Sequence, residues 1–263
     1  MLVGVDIGGT FTDLVLSTDK GLTIHKLPST PHNPAIAMIE GLSDITDGNL
    51  SLIERVAHGS TVATNAILER KGAKTAFITT KGFRDILFIG RQNRPDLYAL
   101  QPQLPSPLIP RELCYELGER LDHNGEIIQE LNIDELNVLL DKLKKDKVDS
   151  VAVCFLYSYI NPEHERIVQA RIYQRQMMER WQVALSCEVL PEFREYERAS
   201  TVALEAYVRP VIGNYINNLR EELPENIGLR VMKSDGGVMD AGRVQEQAIQ
   251  TALSGPAAGL LGA

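Results

Sequence analysis

Paired cysteines, basic clusters and long apolar runs are all missing from this chain of 263 residues. The three cysteines, Cys114, Cys154 and Cys187, are odd in number and far apart. No Cys-x-x-Cys pair occurs, which removes a disulfide framework and a cysteine-based structural zinc site from consideration. Lysine and arginine number 27 against 35 aspartates and glutamates, for a formal net charge of −8. A uniformly acidic chain lacks the clustered cations that phosphate backbones need, so no nucleic-acid partner is expected. The densest basic run, 142–147, is broken by Asp146 and lies on an amphipathic helical pattern, which reads as a solvated face. No stretch is apolar for long enough to span a bilayer. The amino terminus has no basic segment followed by an apolar block, so no secretion signal or membrane partner is read and the cytoplasm is expected. The five histidines, His25, His32, His58, His123 and His164, show no metal-ligand spacing, and neither a catalytic triad pattern nor His-Glu-x-x-His occurs.

What is present is the composition of a folded protein, 44% hydrophobic and 24% charged, with length for two domains of ordinary size. The most informative segment comes first: Gly4-Val5-Asp6-Ile7-Gly8-Gly9-Thr10-Phe11-Thr12-Asp13. An apolar run ends in an aspartate, a glycine pair and two threonines follow, and a second aspartate leads into another apolar run. The pattern predicts strand, tight glycine turn and returning strand. Glycines let backbone approach an anion closely, and successive N–H groups form an anion nest. Carboxylates beside such a nest repel bare phosphate, so Asp6 and Asp13 point to Mg²⁺ between them and the phosphates. The segment lacks both the dinucleotide-binding glycine spacing and the Lys-Ser/Thr ending of a P-loop; a plain glycine hairpin is the competing reading.

Strand-like and helix-like segments then alternate, which argues an α/β architecture. Strands are expected at 22–27, 53–57, 75–79, 114–121, 148–155, 183–186 and 229–232. Helices are expected at 35–45, 62–70, 133–145, 162–181 and 196–223, with a last one beginning near Pro256. The longest carries the apolar stripe Ala199, Val202, Ala206, Ile212, Ile216 and Leu219, with Pro210 as a kink. Residues 91–110 hold five prolines and read as a long excursion.

Three further segments bear on chemistry, each with two readings. His58-Gly59-Ser60-Thr61 lies between a strand and a helix, where hydroxyls and N–H groups either meet an anion or simply cap the helix. Ser234-Asp235-Gly236-Gly237 follows a strand and is either a ligand-facing turn beyond a sheet edge or a surface turn. Ser254-Gly255-Pro256-Ala257-Ala258-Gly259 allows close backbone approach by a ligand or by a neighbouring helix. Arg91 offers a guanidinium fork for a carboxylate or phosphate, or makes a surface ion pair.

Taken in order, these blocks resemble the hydantoinase A/5-oxoprolinase family, which also includes acetone carboxylase subunits. Beside the opening segment, the similar blocks are 58–70 (His58 to Arg70), Gly82-Phe83-Arg84-Asp85 with Ile89-Gly90-Arg91-Gln92-Asn93-Arg94-Pro95, Asn161-Pro162-Glu163-His164-Glu165, Glu192-Phe193-Arg194-Glu195-Tyr196-Glu197-Arg198, and the two glycine turns near the end. The resemblance implies an actin-like ATPase (ribonuclease H-like) fold, a mixed sheet with flanking helices and an incomplete second lobe. It implies an amino-terminal domain over 1–182 and the start of a catalytic domain over 183–263. It also implies ATP-dependent ring opening of a cyclic amide such as a hydantoin, with 5-oxoproline hydrolysis or a non-catalytic binding module as alternatives.

ATP and Mg²⁺ are the implied cofactors, and a B-type subunit and further oligomerisation the implied assembly. Asp6, Asp13 and His58 are the implied catalytic residues, with Asp6 and Asp13 holding the metal. Gly8, Gly9, Thr10, Thr12, Ser254 and Gly255 would hold the nucleotide, and Ser60, Thr61, Arg91, Asp235 and Gly236 the substrate. The family continues into a second phosphate motif, so this stretch is expected to hold half a nucleotide site and to leave an apolar patch exposed.

Overall fold

The opening segment folds as the hairpin its pattern predicts. β1 (Leu2–Ile7) pairs antiparallel with β2 (Phe11–Thr18), and Gly8 N–H donates to the Phe11 carbonyl at 3.0 Å to close the turn. β2 pairs antiparallel with β3 (Gly21–Pro28). Alternation sends Val3, Val5, Leu14 and Leu16 to one face, where α1 (Pro34–Ile45) covers them with Ala37, Met38 and Leu42. Gly41 permits that approach, because a Cβ there would lie 2.5 Å from Leu14 Cδ1. β4 (Arg55–Ser60) then lies parallel to β1, and α2 (Val62–Leu68) follows it. This computed structural model describes residues 1–30, 33–93, 96–101, 105–255 and 257. His32, Arg94, Pro95, Pro102, Pro256, Ala258 and Gly259 lie outside them.

The chain forms two compact units, Met1–Lys71 with Val211–Ala263 and, between these stretches, Gly72–Pro210. The inserted unit is a parallel α/β layer. Its strands are β5 (Thr75–Thr80), β6 (Cys114–Leu117), β9 (Ser150–Cys154) and β10 (Val183–Leu185), in the order β10-β9-β5-β6, all parallel. The short α3 (Ile86–Ile89) precedes β6, and the small hairpin of β7 (Arg120–Leu121) and β8 (Ile127–Gln129) follows it. Every residue of β5 and β9 is buried, as a sheet covered on both faces requires. One face packs Ala76, Ile78, Val151 and Val153 against α4 (Ile133–Lys145) and α5 (Glu163–Gln174). The other packs Phe77, Ala152, Cys154 and Ala184 against Ala199, Val202, Ala203 and Ala206 of a long helix. After the one-turn α6 (Ser186–Val189), that helix is α7 (Glu195–Glu222), which continues through Pro210. The expected domain boundary after 182 would part β10 from β9, to which it is paired through Val183, Ala184 and Leu185.

The remainder of α7 buries Ile212, Ile216 and Leu219 in the first unit. β11 (Gly228–Met232) then joins β4 in parallel, and β12 (Val238–Asp240) turns back antiparallel. The first unit therefore has a six-stranded mixed sheet, β12-β11-β4-β1-β2-β3. An antiparallel meander of β1 to β3 continued by parallel β4 and β11, with helices between, is the ribonuclease H-like arrangement of actin-like ATPases. The meander face turned away from α1 exposes Leu2, Val15, Leu22 and Ile24.

The helix expected over 162–181 ends at Gln174, and the strand expected over 114–121 divides into β6 and β7.

Candidate functional site

The carboxyl ends of β1, β4 and β11 point the same way, because those three strands are parallel. In open α/β sheets ligands lie beyond such ends. Ile7 registers with Ser60, and His58 with Val231. The glycine turn after β1, Ser60-Thr61 after β4 and Ser234-Asp235 after β11 therefore share one sheet edge.

Asp6 and Asp13 are direct cross-strand partners on the open face. Both escape full burial. Partial burial, and then the facing Asp13 charge, push the Asp6 carboxyl above the usual carboxylate range. Asp13 accepts a hydrogen bond from Lys26 Nζ at 2.7 Å. On the other side Asp6 registers with Gly59, where a Cβ would lie 3.3 Å from Asp6 Oδ1. Gly59 is thus the bare floor beneath the Asp6 carboxylate.

The turn itself presents Gly9 and Thr10, both exposed, with open space where a Cβ on Gly9 would stand. Among the described residues the N–H groups of Gly9 and Thr10 donate to nothing. The turn is braced from behind: Ser29 N–H donates to the Thr10 carbonyl at 2.9 Å and Ser29 Oγ to the Gly8 carbonyl at 2.7 Å. A cleft of about 470 Å³ opens beside it, with Gly8, Gly9, Thr61, Asn65 and Tyr215 in its lining. That volume is within the range of small-molecule sites.

These residues fit a Mg²⁺-nucleotide. Mg²⁺ is commonly held by one or two carboxylates, with water and phosphate completing its shell. Asp6 and Asp13 supply such a pair, and the bare N–H groups lie in the turn that joins their strands. Among the described residues no group of three or more histidine, cysteine, aspartate or glutamate side chains could hold a metal ion by itself.

Several expected site residues are placed differently. Thr12 is fully buried, and its hydroxyl pairs with Ser29 Oγ at 2.9 Å, because strand alternation turns it to the α1 face. His58 is fully buried as well. Its Nδ1–H donates to the Val5 carbonyl at 3.3 Å, and its Nε2 accepts from the Tyr215 hydroxyl at 2.6 Å. A carbonyl only accepts, so the partners fix this tautomer. Burial lowers the His58 pKa to about 4 against the opposing pull of the Val5 bond, so the ring is neutral near pH 7. Burial, and then the Asp6 charge, raise the Tyr215 phenol well above its usual range, against the hydrogen bond with Ser60.

Ser60 is buried, and its hydroxyl accepts from Val62 N–H at 3.2 Å. Thr61 stays partly exposed and accepts from Asn65 Nδ2 at 3.3 Å. Ser254 is buried and donates to the Ser60 carbonyl at 3.3 Å, so it locks the turn after β4 from behind. Among the described residues nothing lies within 4 Å of where a Cβ on Gly255 would stand.

Asp235 supports its own turn. It accepts from Gly237 N–H at 2.8 Å and pairs with Lys233 at 2.6 Å, while Gly236 takes a φ of +82°. The Lys233 bond, and then that of Gly237, hold its carboxyl below the usual range. Arg91 belongs to the inserted unit and donates from Nε to Glu197 at 2.7 Å.

The inserted unit accounts for two sequence blocks the site does not use. Glu165 accepts from Phe155 N–H, Ser186 Oγ and Cys187 N–H at 2.9, 2.6 and 3.0 Å. His164 pairs with Glu119, and Arg198 donates to the Phe155 and Glu192 carbonyls. All four side chains are buried and plug the carboxyl ends of that sheet.

The sequence is matched over residues 2–176 by the hydantoinase/oxoprolinase N-terminal region and over 198–263 by the hydantoinase/oxoprolinase region. It is 34% identical over 268 residues to the alpha subunit of caprolactamase from Pseudomonas jessenii, covering 97% of this chain and 38% of that protein. It is 33% identical over 306 residues to 5-oxoprolinase of Saccharomyces cerevisiae, covering 99% of this chain and 23% of the relative. The crystal structure of the ATP-dependent caprolactamase from Pseudomonas jessenii superposes with a TM-score of 0.84 at 31% identity, over 99% of this chain and 40% of that one. Nucleotide-free acetone carboxylase, solved in work on ATP-dependent acetone carboxylation, gives a TM-score of 0.86 at 25% identity, over 99% and 39%. The chain therefore spans about two fifths or less of the length of these relatives.

Proposed function

Because the chain belongs to the hydantoinase/oxoprolinase family, we propose that its first unit supplies the phosphate- and Mg²⁺-binding edge of an ATP-dependent cyclic-amide hydrolase. The observation that carries this reading is the pairing of Asp6 with Asp13 across a turn whose Gly9 and Thr10 N–H groups have no partner among the described residues. Asp6 and Asp13 hold hydrated Mg²⁺. Gly9 and Thr10 cradle phosphate oxygens through backbone donors, and the Thr10 hydroxyl adds another, while Gly8 spends its N–H on closing the turn. Thr61 lines the adjoining cleft and faces the substrate. Thr12, Ser60, His58 and Ser254 hold the two turns in place.

The chemistry explains why ATP is needed. An unstrained amide carbonyl is a poor electrophile, and transfer of the terminal phosphoryl group of ATP to its oxygen, with ADP leaving, would activate the carbon. Water then adds to that carbon, the C–N bond breaks as the nitrogen takes a proton, and hydrolysis of the resulting acyl phosphate releases phosphate and the open-chain acid. The contribution of these residues is to neutralise and orient the phosphates, which is how phosphoryl transfer is chiefly promoted. Hydantoin-like rings are the proposed substrates. The likeness to 5-oxoprolinase supports 5-oxoproline as the alternative, and consumption of ATP with 5-oxoproline but not with hydantoins selects it. The caprolactamase relative is an alpha subunit, which supports a B-type partner subunit here; co-purification without any such protein counts against that.

Calorimetric titration of this chain with Mg²⁺-ATP tests the reading. Weak but saturable binding is expected of a chain that holds half a nucleotide site, weakened further, roughly tenfold or more, by Asp6→Asn or Asp13→Asn, since each removes one of two charges facing the cation. Absence of binding, or binding indifferent to both substitutions, refutes it.

A further inference from the structure

Asp6, Asp13 and Lys26 stand in one row across three adjacent antiparallel strands, Asp6 opposite Asp13 and Asp13 opposite Lys26. The Lys26 ammonium is 2.7 Å from Asp13 Oδ1 and 4.9 Å from the centroid of the Phe11 ring. It is thus held on two sides, by a carboxylate and by an aromatic face. Among the described residues no cation pairs with Asp6 in the same way: its other neighbour in the row is Gly59, which has no side chain.

Resting on the reading of Asp6 and Asp13 as the metal pair, we infer that Lys26 is the resident counter-ion of that pair and sets its affinity for a divalent cation. With no metal bound, the ammonium offsets one of the two facing charges. Asp6 and Asp13 would hold a divalent cation only once Asp13 is released from Lys26, and the lysine would then face that cation as a like charge.

The Lys26 and Asp13 side chains are 54% and 44% exposed, so their bond is weak and readily exchanged for a stronger one. Lysine suits this role because it is a compact charge on a flexible stem. An arginine fork would grip both carboxylate oxygens and yield less easily. The consequence is discrimination: free Mg²⁺ is held poorly, and the cation binds well when phosphates arrive with it and supply the remaining ligands.

Nucleotide-free Mn²⁺ titration of this chain, followed by electron paramagnetic resonance, tests the inference. Lys26→Met is expected to tighten Mn²⁺ binding roughly tenfold, the effect of removing one positive charge a few ångströms from a dication. Lys26→Arg is expected to bind no more tightly than wild type. Lys20→Met changes net charge equally at the exposed β2–β3 turn and is expected to shift affinity far less. The gap between Lys26→Met and wild type should narrow at high salt, where the ion pair is screened.

Equal affinity in Lys26→Met and wild type, or an equal gain in Lys20→Met, overturns the inference. The metal reading survives that result if Asp6→Asn still abolishes binding. Absence of Mn²⁺ binding in every variant overturns that reading, and this inference with it.

Discussion

The Tyr215 hydroxyl lies 2.6 Å from His58 Nε2, and this one bond fastens α7 to the strand that ends at the site. Nδ1 on the far side of the ring is taken by the Val5 carbonyl of the neighbouring strand. The imidazole therefore links β1, β4 and α7 in one chain of donors and acceptors. Tyr215→Phe keeps the ring and removes the hydroxyl, so a fully buried nitrogen loses its partner and Ser60 loses its bond to the phenol oxygen. An orphaned buried acceptor costs roughly 1–3 kcal/mol. Urea denaturation should show a loss of that size, with the midpoint lowered and the slope unchanged. A variant as stable as wild type would mean the bond contributes nothing net.

The same ring makes stability depend on pH. Its folded pKa is lowered from 6.5 to about 4, so the unfolded chain binds the proton more readily. Stability from this group is complete above the unfolded value near 6.5 and is lost as pH falls toward 4. The full loss is roughly 3 kcal/mol. Carboxylates also titrate in acid, so the informative quantity is the difference between wild type and His58→Gln. That difference should shrink steadily in a series of urea melts from pH 7 to pH 4. A difference constant across the series would show that His58 is not held neutral by the fold.

Both the hairpin and the alternation of strand and helix could be read from local pattern. The glycine pair between apolar runs fixed the first turn, and the stripe from Ala199 to Leu219 found its buried face almost residue for residue. What local pattern missed depends on partners distant in sequence. β8 and β12 are three-residue strands defined by the strands they pair with. His58 looked like a cleft residue because it stands in a polar block, and its burial arises from Tyr215, 157 positions later. Thr12 reads as a phosphate ligand beside Thr10, but Thr10 stands in the exposed turn while Thr12 is already inside β2, on the face that α1 covers. Signals for Lys26 and Gly59 existed only in the register: Lys26 registers with Asp13 on one flank, and Gly59 with Asp6 on the other.

That second register makes Gly59 the sharpest probe of the site. A Cβ at position 59 would stand 3.3 Å from Asp6 Oδ1 and 3.9 Å from the Val5 carbonyl. The first contact is tight and the second ordinary, so the substitution presses on the carboxylate and spares the sheet. Gly59 lies within β4 and does not take the left-handed conformation. Gly59→Ala should therefore leave stability unchanged or raise it by about 0.5 kcal/mol, through the reduced freedom of the unfolded chain. Metal binding should move the other way. Displacing Asp6 by a few tenths of an ångström spoils the geometry on which Mg²⁺, with its demand for near-ideal coordination, is strict. Mg²⁺-ATP affinity is expected to fall several-fold, and further in Gly59→Val, while urea midpoints hold. Pairing the titration with the melt separates the outcomes. A fall in both would mark Gly59 as a packing glycine, and unchanged affinity would remove Asp6 from the metal's ligands. A loss confined to binding is the result the Asp6–Gly59 contact requires.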